Sequence, residues 1–354
     1  MHRSQWDLKT LVLPLLSVAV LIVLVMDLFM GPAEIATSIT PGAVVHIVMH
    51  HLHLEPARAT TSSTLVADQI VWQLRLPRAL CGLAVGMLLA LAGVAFQSFL
   101  MNPLADPYMV GVSAGSALGS ATVVLMGGTA WLSGLAQPAA AFGAGLASML
   151  LITALARING RVSAQTFLLA GIVLGTFVYS ITRLIIAIAN RSNDTGKSNA
   201  ILSQLLGSLQ GATWADLLLL APFGILGSFL LLRSCRELNL MAMGEETASH
   251  LGVNIELFKR RIITSGSLVT AATVSVAGII GFIGMVVPHV GRRLVGPDHR
   301  VLLPVSMLLG GLVLLLSDWF ARVYLHELEV GVVTSLIGAP IFCYLLRSRL
   351  VSRW

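Results

Sequence analysis

The sequence predicts an all-α membrane protein with about ten transmembrane helices, and three observations predict it. The 354 residues are 56% hydrophobic and only 11% charged, with a mean hydropathy of +0.88; a soluble domain averages about 25% charged residues. Apolar runs of about 20 residues recur along the chain, the length that crosses a hydrocarbon core of about 30 Å as a helix. The alternating ten-residue strands of an outer-membrane barrel do not occur.

The elements follow in order. Arg3 and Lys9 precede the apolar run 11–30, which has no small-residue cleavage site behind it and reads as a retained first helix. Residues 31–76 form an external segment of short surface pieces. Further spans are expected at 79–100, 107–126, 134–156, 164–189 and 214–232, then 262–277, 279–295, 301–321 and 331–347. Residues 262–291 contain no Asp, Glu, Lys or Arg. One straight helix of that length would measure about 45 Å, so Gly278, Gly281, Gly284 and Pro288 predict two short helices with a tight reversal. Pro103 and Pro107 predict a rigid turn over 102–107. Gly82/Gly86, Gly111/Gly115/Gly119 and Gly171/Gly175 are stripes along which helix backbones can touch.

Charge orients the chain. With the N-terminus inside, fifteen of the 22 Lys and Arg residues fall on the inner side, among them Arg157, Arg233, Lys259, Arg260, Arg261, Arg292 and Arg300. This obeys the positive-inside rule and puts both termini in the cytoplasm. The net charge of +6 therefore reflects basic inner loops rather than nucleic-acid binding. Cys81, Cys235 and Cys343 are scattered and odd in number, giving neither a disulfide framework nor a metal-ligand spacing.

Several motifs invite a chemical reading. "GVSAG" at 111–115 fits a nucleophile elbow, with Ser113 as nucleophile and His289 as base, but no strand precedes it. "DTGKSN" at 194–199 ends like a phosphate-binding loop, yet the glycine that loop needs is Arg191 here. His46 and His50 share a helical face within "HIVMHHLHL", beside His51 and His53, without the Cys or carboxylate that would complete a metal site. Arg183 interrupts the fifth apolar run; it belongs in a bundle interior or watery pathway, or snorkels to the outer surface. Arg75, Arg78 and Arg322 lie near the outer mouths of helices, where they could receive carboxylates of a soluble partner or anchor headgroups. The most polar internal stretch, "GEETASHLGVNIELFKRR" at 244–261, falls between long apolar runs on the inner side.

The ordered series "LRLPR", "NPLADP", "GVSAGSALG", "LNLMAMGEETASHLGV", "GFIGMVVPH", "DHRVLLP" and "IGAPIF" spans about residues 60–350. It resembles the permease subunits of bacterial ATP-driven (ABC) importers for iron–siderophore complexes, cobalamin and haem, the type II architecture. The resemblance implies one polytopic domain over 1–354, paired with a second copy in the inner membrane and joined by two copies of a separate ATPase. That ATPase would hold the ATP and Mg, leaving this chain without cofactor, metal or catalytic residues. A periplasmic or lipid-anchored binding protein would dock outside.

By the same resemblance, residues 238–254 are the coupling segment, two short helices seated in the ATPase, carried by Leu238, Met241, Gly244, Glu245, Glu246, Ala248 and Gly252. Thr247 departs from the family's alanine. Arg75, Arg78 and Arg322 match the arginines that meet the binding protein. Asn102 and Leu104 match one inner gate, and Ser163, Ala164 and Gln165 fall at a second. The pathway would be lined by the fifth span and residues 190–213, with "LLGSLQGATW" as a short outer helix. A ferric siderophore is the leading substrate, with haem or cobalamin as alternatives. A secondary transporter would need buried mid-membrane carboxylates, of which the spans hold almost none, Asp27 and Asp318 lying near their ends; an intramembrane serine hydrolase would need a base oriented toward Ser113.

Overall fold

The computed structural model describes residues 2–30, 40–51, 53, 62–158, 160–191 and 195–347. Its helices, in order, are α1 (His2–Phe29), α2 (Pro41–His51), α3 (Ser62–Asp68), α4 (Leu76–Phe99), α5 (Val112–Leu125) and α6 (Ala136–Leu155). They continue with α7 (Ala164–Arg191), α8 (Thr195–Leu206), α9 (Trp214–Arg233), α10 (Cys235–Met241), α11 (Glu245–His250), α12 (Ile255–Ala277), α13 (Ile283–Val295), α14 (His299–Tyr324) and α15 (Val330–Arg347). A small antiparallel hairpin, β1 (Arg157–Ile158) and β2 (Arg161–Val162), joins α6 to α7. Each of the ten expected spans has its helix: α1, α4, α5, α6, α7, α9, α12, α13, α14 and α15.

Local signals start these helices. Thr213 and Asp216 form a capping box at α9, with Thr213 Oγ1 accepting from the Asp216 amide. Asn254 accepts from Leu257 N at 3.0 Å to open α12, and Asp298 accepts from Arg300 N at 3.0 Å to open α14. Packing is built on small residues, because apolar side chains gain nothing by leaving lipid. At the crossing of α4 with α14 the backbones meet directly: a Cβ on Gly86 would lie 2.3 Å from Gly310 O, and one on Gly310 would lie 2.3 Å from Gly86 O. The inner axis is α4, buried nearly all round, with α12, α13 and α14 against it. By contrast, α1 and α7 leave long apolar faces open, including Leu15 and Leu21 on the first and Val173 and Phe177 on the second.

Three expectations are corrected. The second span does not begin at 79: Ser62–Asp68, a π-helical turn at Gln69–Arg75 and Leu76–Phe99 follow one another without interruption, so part of the external segment extends that span as a rod. The short outer helix is Thr195–Leu206, one step before "LLGSLQGATW". It stops at Gly207, whose φ of +77° and close approach to Ile279 O no other residue type would satisfy without strain. Third, the reversal within 262–291 uses Gly278 and the non-helical residues up to Phe282, whereas Gly284 and Pro288 lie inside α13.

Two helices are short for a span: α5 has 14 residues and α13 has 13, about 20 Å each. Irregular backbone at 100–111 and 278–282 must therefore sit within the thickness of the bilayer, where every polar group needs a partner. The chain supplies them. Tyr108 Oη accepts from Ile280 N at 2.8 Å, and Gln204 O accepts from Ile279 N at 3.1 Å. Gln97 Nε2 donates to Met285 O at 3.1 Å and Ala105 O at 3.3 Å. The two interruptions thus complete one another.

Candidate coupling and gating site

The chain from Cys235 to His250, which overlaps the start of the polar stretch, forms a knuckle of two short helices, α10 and α11, where the resemblance implied two. Gly244 (φ +106°) makes the bend between them, and Gly252 (φ +86°) makes the turn into α12. Leu238, Met241 and Ala248, three of the residues expected to carry the coupling segment, are fully buried and form the core of the knuckle. The outward face belongs to Glu246 and Thr247, with the exposed apolar side chains of Met243 and Leu251 nearby.

Glu245, though exposed, pairs with α12. Its carboxylate receives Lys259 Nζ at 2.9 Å, and the same ammonium donates to Val162 O at 3.2 Å. Lys259 is buried on the first turns of α12. Its neighbour Glu256 accepts from Val162 N at 3.4 Å, so both backbone groups of Val162 are held by α12. Ser163, Ala164 and Gln165 follow Val162 directly, and Ser163 O accepts from Phe167 N at 2.9 Å as α7 begins. A continuous chain of polar contacts therefore runs from the knuckle to the expected second gate.

A second chain leaves α10. Asn239 Nδ2 donates to Asp298 at 2.8 Å, while Asn239 Oδ1 accepts from His299 N at 2.9 Å and from His299 Nδ1 at 2.7 Å. His299 Nε2 lies 2.8 Å from Ser98 Oγ, whose single hydroxyl proton is shared between that nitrogen and Val94 O at 2.9 Å. Ser98 is on the last turn of α4, just before Asn102, whose amide nitrogen bonds Gln97 O at 3.0 Å and whose Oδ1 accepts from Leu104 N at 3.0 Å. Arg292 donates to Gln97 Oε1 and closes the group. Asp298 sits outside the spans; the Arg300 amide and the Asn239 side chain hold its carboxyl below its ordinary value. Close to the two expected gates in sequence, the Phe99 ring at the end of α4 and the Phe167 ring in the first turn of α7 pack edge to face at 5.6 Å. Sequence reading missed Ser98, Asn239, Lys259, His299 and Phe167 as parts of this site. The Lys-Arg-Arg run and the polar start of α14 were visible, but no local pattern announces pairs separated by 60 to 200 positions.

At the other end of the bundle the structure brings Arg75, Arg78 and Arg322 together, but inside. Arg78 forms a two-pronged bond with Asp318 at 2.9 and 3.0 Å. Arg322 is bonded to Asp27, and Arg75 donates to Leu28 O at 2.9 Å. All three guanidinium groups are buried, correcting the expectation of three open cations. The reason is that the continuous rod α3–α4 carries Arg75 and Arg78 below its tip, where α1 and α14 cover them. Arg183 is exposed on α7 over the face of Tyr179, 4.8 Å from the ring centroid.

The competing chemistry finds no support. Ser113 Oγ is buried without a hydrogen-bond partner, and so is His289 Nε2, so no nucleophile–base pair exists. Thr195–Asn199 of the phosphate-loop motif is the first turn of α8, and Asp194 lies outside the described residues. His46, His50 and His51 line up with Trp72 and Trp214 as a ladder of rings, and His51 Nε2 is 2.8 Å from Asp68.

Comparison with known proteins places this geometry. Residues 15–348 match the model of the FecCD transport family. The cobalamin import system permease BtuC of Halobacterium salinarum is 42% identical over 283 residues, covering 80% of this chain and 74% of that one. The Fe(3+)-citrate import system permease YfmD of Bacillus subtilis is 35% identical, over 78% of this chain and 81% of its own. A metal-chelate type ABC transporter solved in an inward-facing conformation superposes with a TM-score of 0.78 at 30% identity, over 95% of this chain and 98% of that one. With six helices among the described residues long and apolar enough to cross a membrane, the chain belongs to the FecCD transport family of ABC importer permeases.

Proposed function

We propose that two copies of this chain form the path by which an ATP-driven importer carries a ferric siderophore through the inner membrane. The basic end, with the knuckle and both termini, faces the cytoplasm. A pair of ATPase subunits grips the outward face of the knuckle around Glu246, and ATP and Mg are held there rather than in this chain. A binding protein docks at the opposite end, its carboxylates exchanging with Asp27 and Asp318 for Arg322, Arg75 and Arg78. Arg75 Nη2 and Arg322 Nε, buried without hydrogen-bond partners, are the atoms most ready to receive them.

The observation that carries this reading is the pair of polar chains from one knuckle to both gate segments, through Lys259 and through His299. A push on α10 and α11 reaches Asn102 and Leu104 by one route and Ser163, Ala164 and Gln165 by the other. No bond chemistry is asked of the chain, and the buried carboxylates Asp27 and Asp318 are each paired with an arginine rather than left open to a coupling ion. The test is uptake into proteoliposomes holding this permease, its ATPase and its binding protein. ATP-dependent accumulation of the ferric siderophore is expected; accumulation without the ATPase would overturn the reading. A second cargo, cobalamin, is favoured by the relative with 42% identity, and competition between the two cargoes, with haem as a third, in the same vesicles decides between them.

A further inference from the structure

Of the three basic side chains Lys259, Arg260 and Arg261, two serve the knuckle: Lys259 pairs with Glu245 at 2.9 Å and Arg261 with Glu237 at 3.1 Å. Arg260 points to the other side of α12 and is exposed. Among the described residues it has neither hydrogen bond nor ion pair. It lines a cleft of about 610 Å³ between α6 and α12, floored by the β1–β2 hairpin. That volume lies within the range of small-molecule sites, roughly 300–1,000 Å³.

The cleft is graded in polarity. Its bilayer side is apolar, with Met149, Leu150 and Ile263; Thr153 lies midway; Arg157 and Arg260 stand at the mouth. Arg157 donates only to Gly160 O at 3.4 Å and pairs with no described carboxylate. Among the lining residues Glu256 is the one carboxylate; it accepts from the hairpin amide of Val162 and keeps its charge, so two arginines face one carboxylate. Positive charge is therefore left over at the boundary where hydrocarbon gives way to water, above a slot that fits an acyl chain.

We propose that this cleft binds an anionic phospholipid of the inner leaflet, its phosphate between Arg157 and Arg260 and its first acyl segment against Leu150 and Ile263. The proposal rests on the orientation given above, which puts the cleft at the cytoplasmic boundary. Basic pockets between helices on that side suit anionic headgroups, and guanidinium meets phosphate with two parallel bonds. Because the cleft shares Val162 and Glu256 with the route from knuckle to gate, a bound lipid also stiffens the hairpin that the route crosses.

The test uses the full-length chain in micelles doped with equal amounts of phosphatidylglycerol and phosphatidylcholine, read by native mass spectrometry. Preferential retention of phosphatidylglycerol is expected. Arg157→Gln with Arg260→Gln should cut that preference roughly 30-fold, the attraction of two interfacial cations. Arg157→Lys with Arg260→Lys should keep it, and Arg300→Gln, an exposed arginine elsewhere, should leave it unchanged. Equal retention of both lipids, or a double glutamine variant that behaves as wild type, overturns the proposal. So does displacement by millimolar glycerol phosphate, which would mark a site for a free phosphoester. Loss of the preference once the ATPase subunit joins would mark a protein occupant and likewise refute it. The readout needs neither cargo nor ATP, so its failure leaves the import reading standing, and failed import leaves the lipid result standing.

Discussion

Lys259 is the joint of the shorter route, and its removal can be quantified. Its ammonium is buried, holds Glu245 at 2.9 Å and donates to Val162 O at 3.2 Å. A hydrogen bond to a charged group contributes about 1.5–3 kcal/mol. The Glu245 side chain is 44% exposed, so water screens that half of the joint and it contributes only about 0.5 kcal/mol. Lys259→Met should therefore weaken the attachment of the hairpin to the knuckle by about 2 kcal/mol, or about 30-fold in its equilibrium. The assay is a double-mutant cycle with Glu245→Gln, measuring cargo moved per ATP hydrolysed in proteoliposomes. Each single variant should hydrolyse ATP while moving less cargo, Lys259→Met the less of the two. The pair should fall short of the summed losses, because both changes cut one connection. Strict additivity, or wild-type transport by Lys259→Met, would refute the route.

Other perturbations test the remaining parts. Glu246→Arg, on the exposed face of α11, should leave thermal stability unchanged and release the ATPase in co-purification. Arg78→Met or Asp318→Leu alone should destabilise by about 3–5 kcal/mol, and the double variant by much less, because each single change strands a buried charge; denaturant titration in detergent reads this. Gly278→Ala, with φ +67° and a Cβ that would lie 2.2 Å from Gln204 O, should cost at least about 2 kcal/mol. Gly127→Ala, with φ +71° and open space around it, should cost about 1 kcal/mol in the same melting assay. Because the folded state lowers the pKa of Asp298, its contribution is present above the unfolded value of about 3.9 and disappears as pH falls through the folded one. Hydrogen exchange across α10 should accelerate in that window, and Asp298→Asn should flatten the dependence.

Hydropathy made the spans legible, because a membrane helix must satisfy its backbone internally and so announces itself by length alone. Glycine and proline spacing marked the reversal after Ala277 and the turn after Leu100. The knuckle was legible because charge is costly in lipid and its presence in mid-chain demanded a location in water. What stayed hidden was pairing. Arg75 and Arg78 looked like an open patch in one dimension, yet their partners are Leu28 and Asp318, 47 and 240 residues away. Likewise, Lys259 could not be told from Arg260 by composition: one residue of rotation about α12 separates a buried joint from an exposed cation.

The bond between Arg322 and Asp27 spans 295 positions and has a bearing on how the protein is made. The first helix leaves the ribosome long before the segment that supplies its counter-ion. Until then Asp27 lacks the arginine that bonds it: Arg75 and Arg78 are already made, but Arg75 holds the neighbouring carbonyls of Leu28 and Phe29, and Arg322 is still to come. Final seating of α1 therefore belongs to the last act of biogenesis. A nascent chain stopped short of α14 should leave its leading helix loosely held in the bilayer, open to the proteases that clear unfinished membrane proteins.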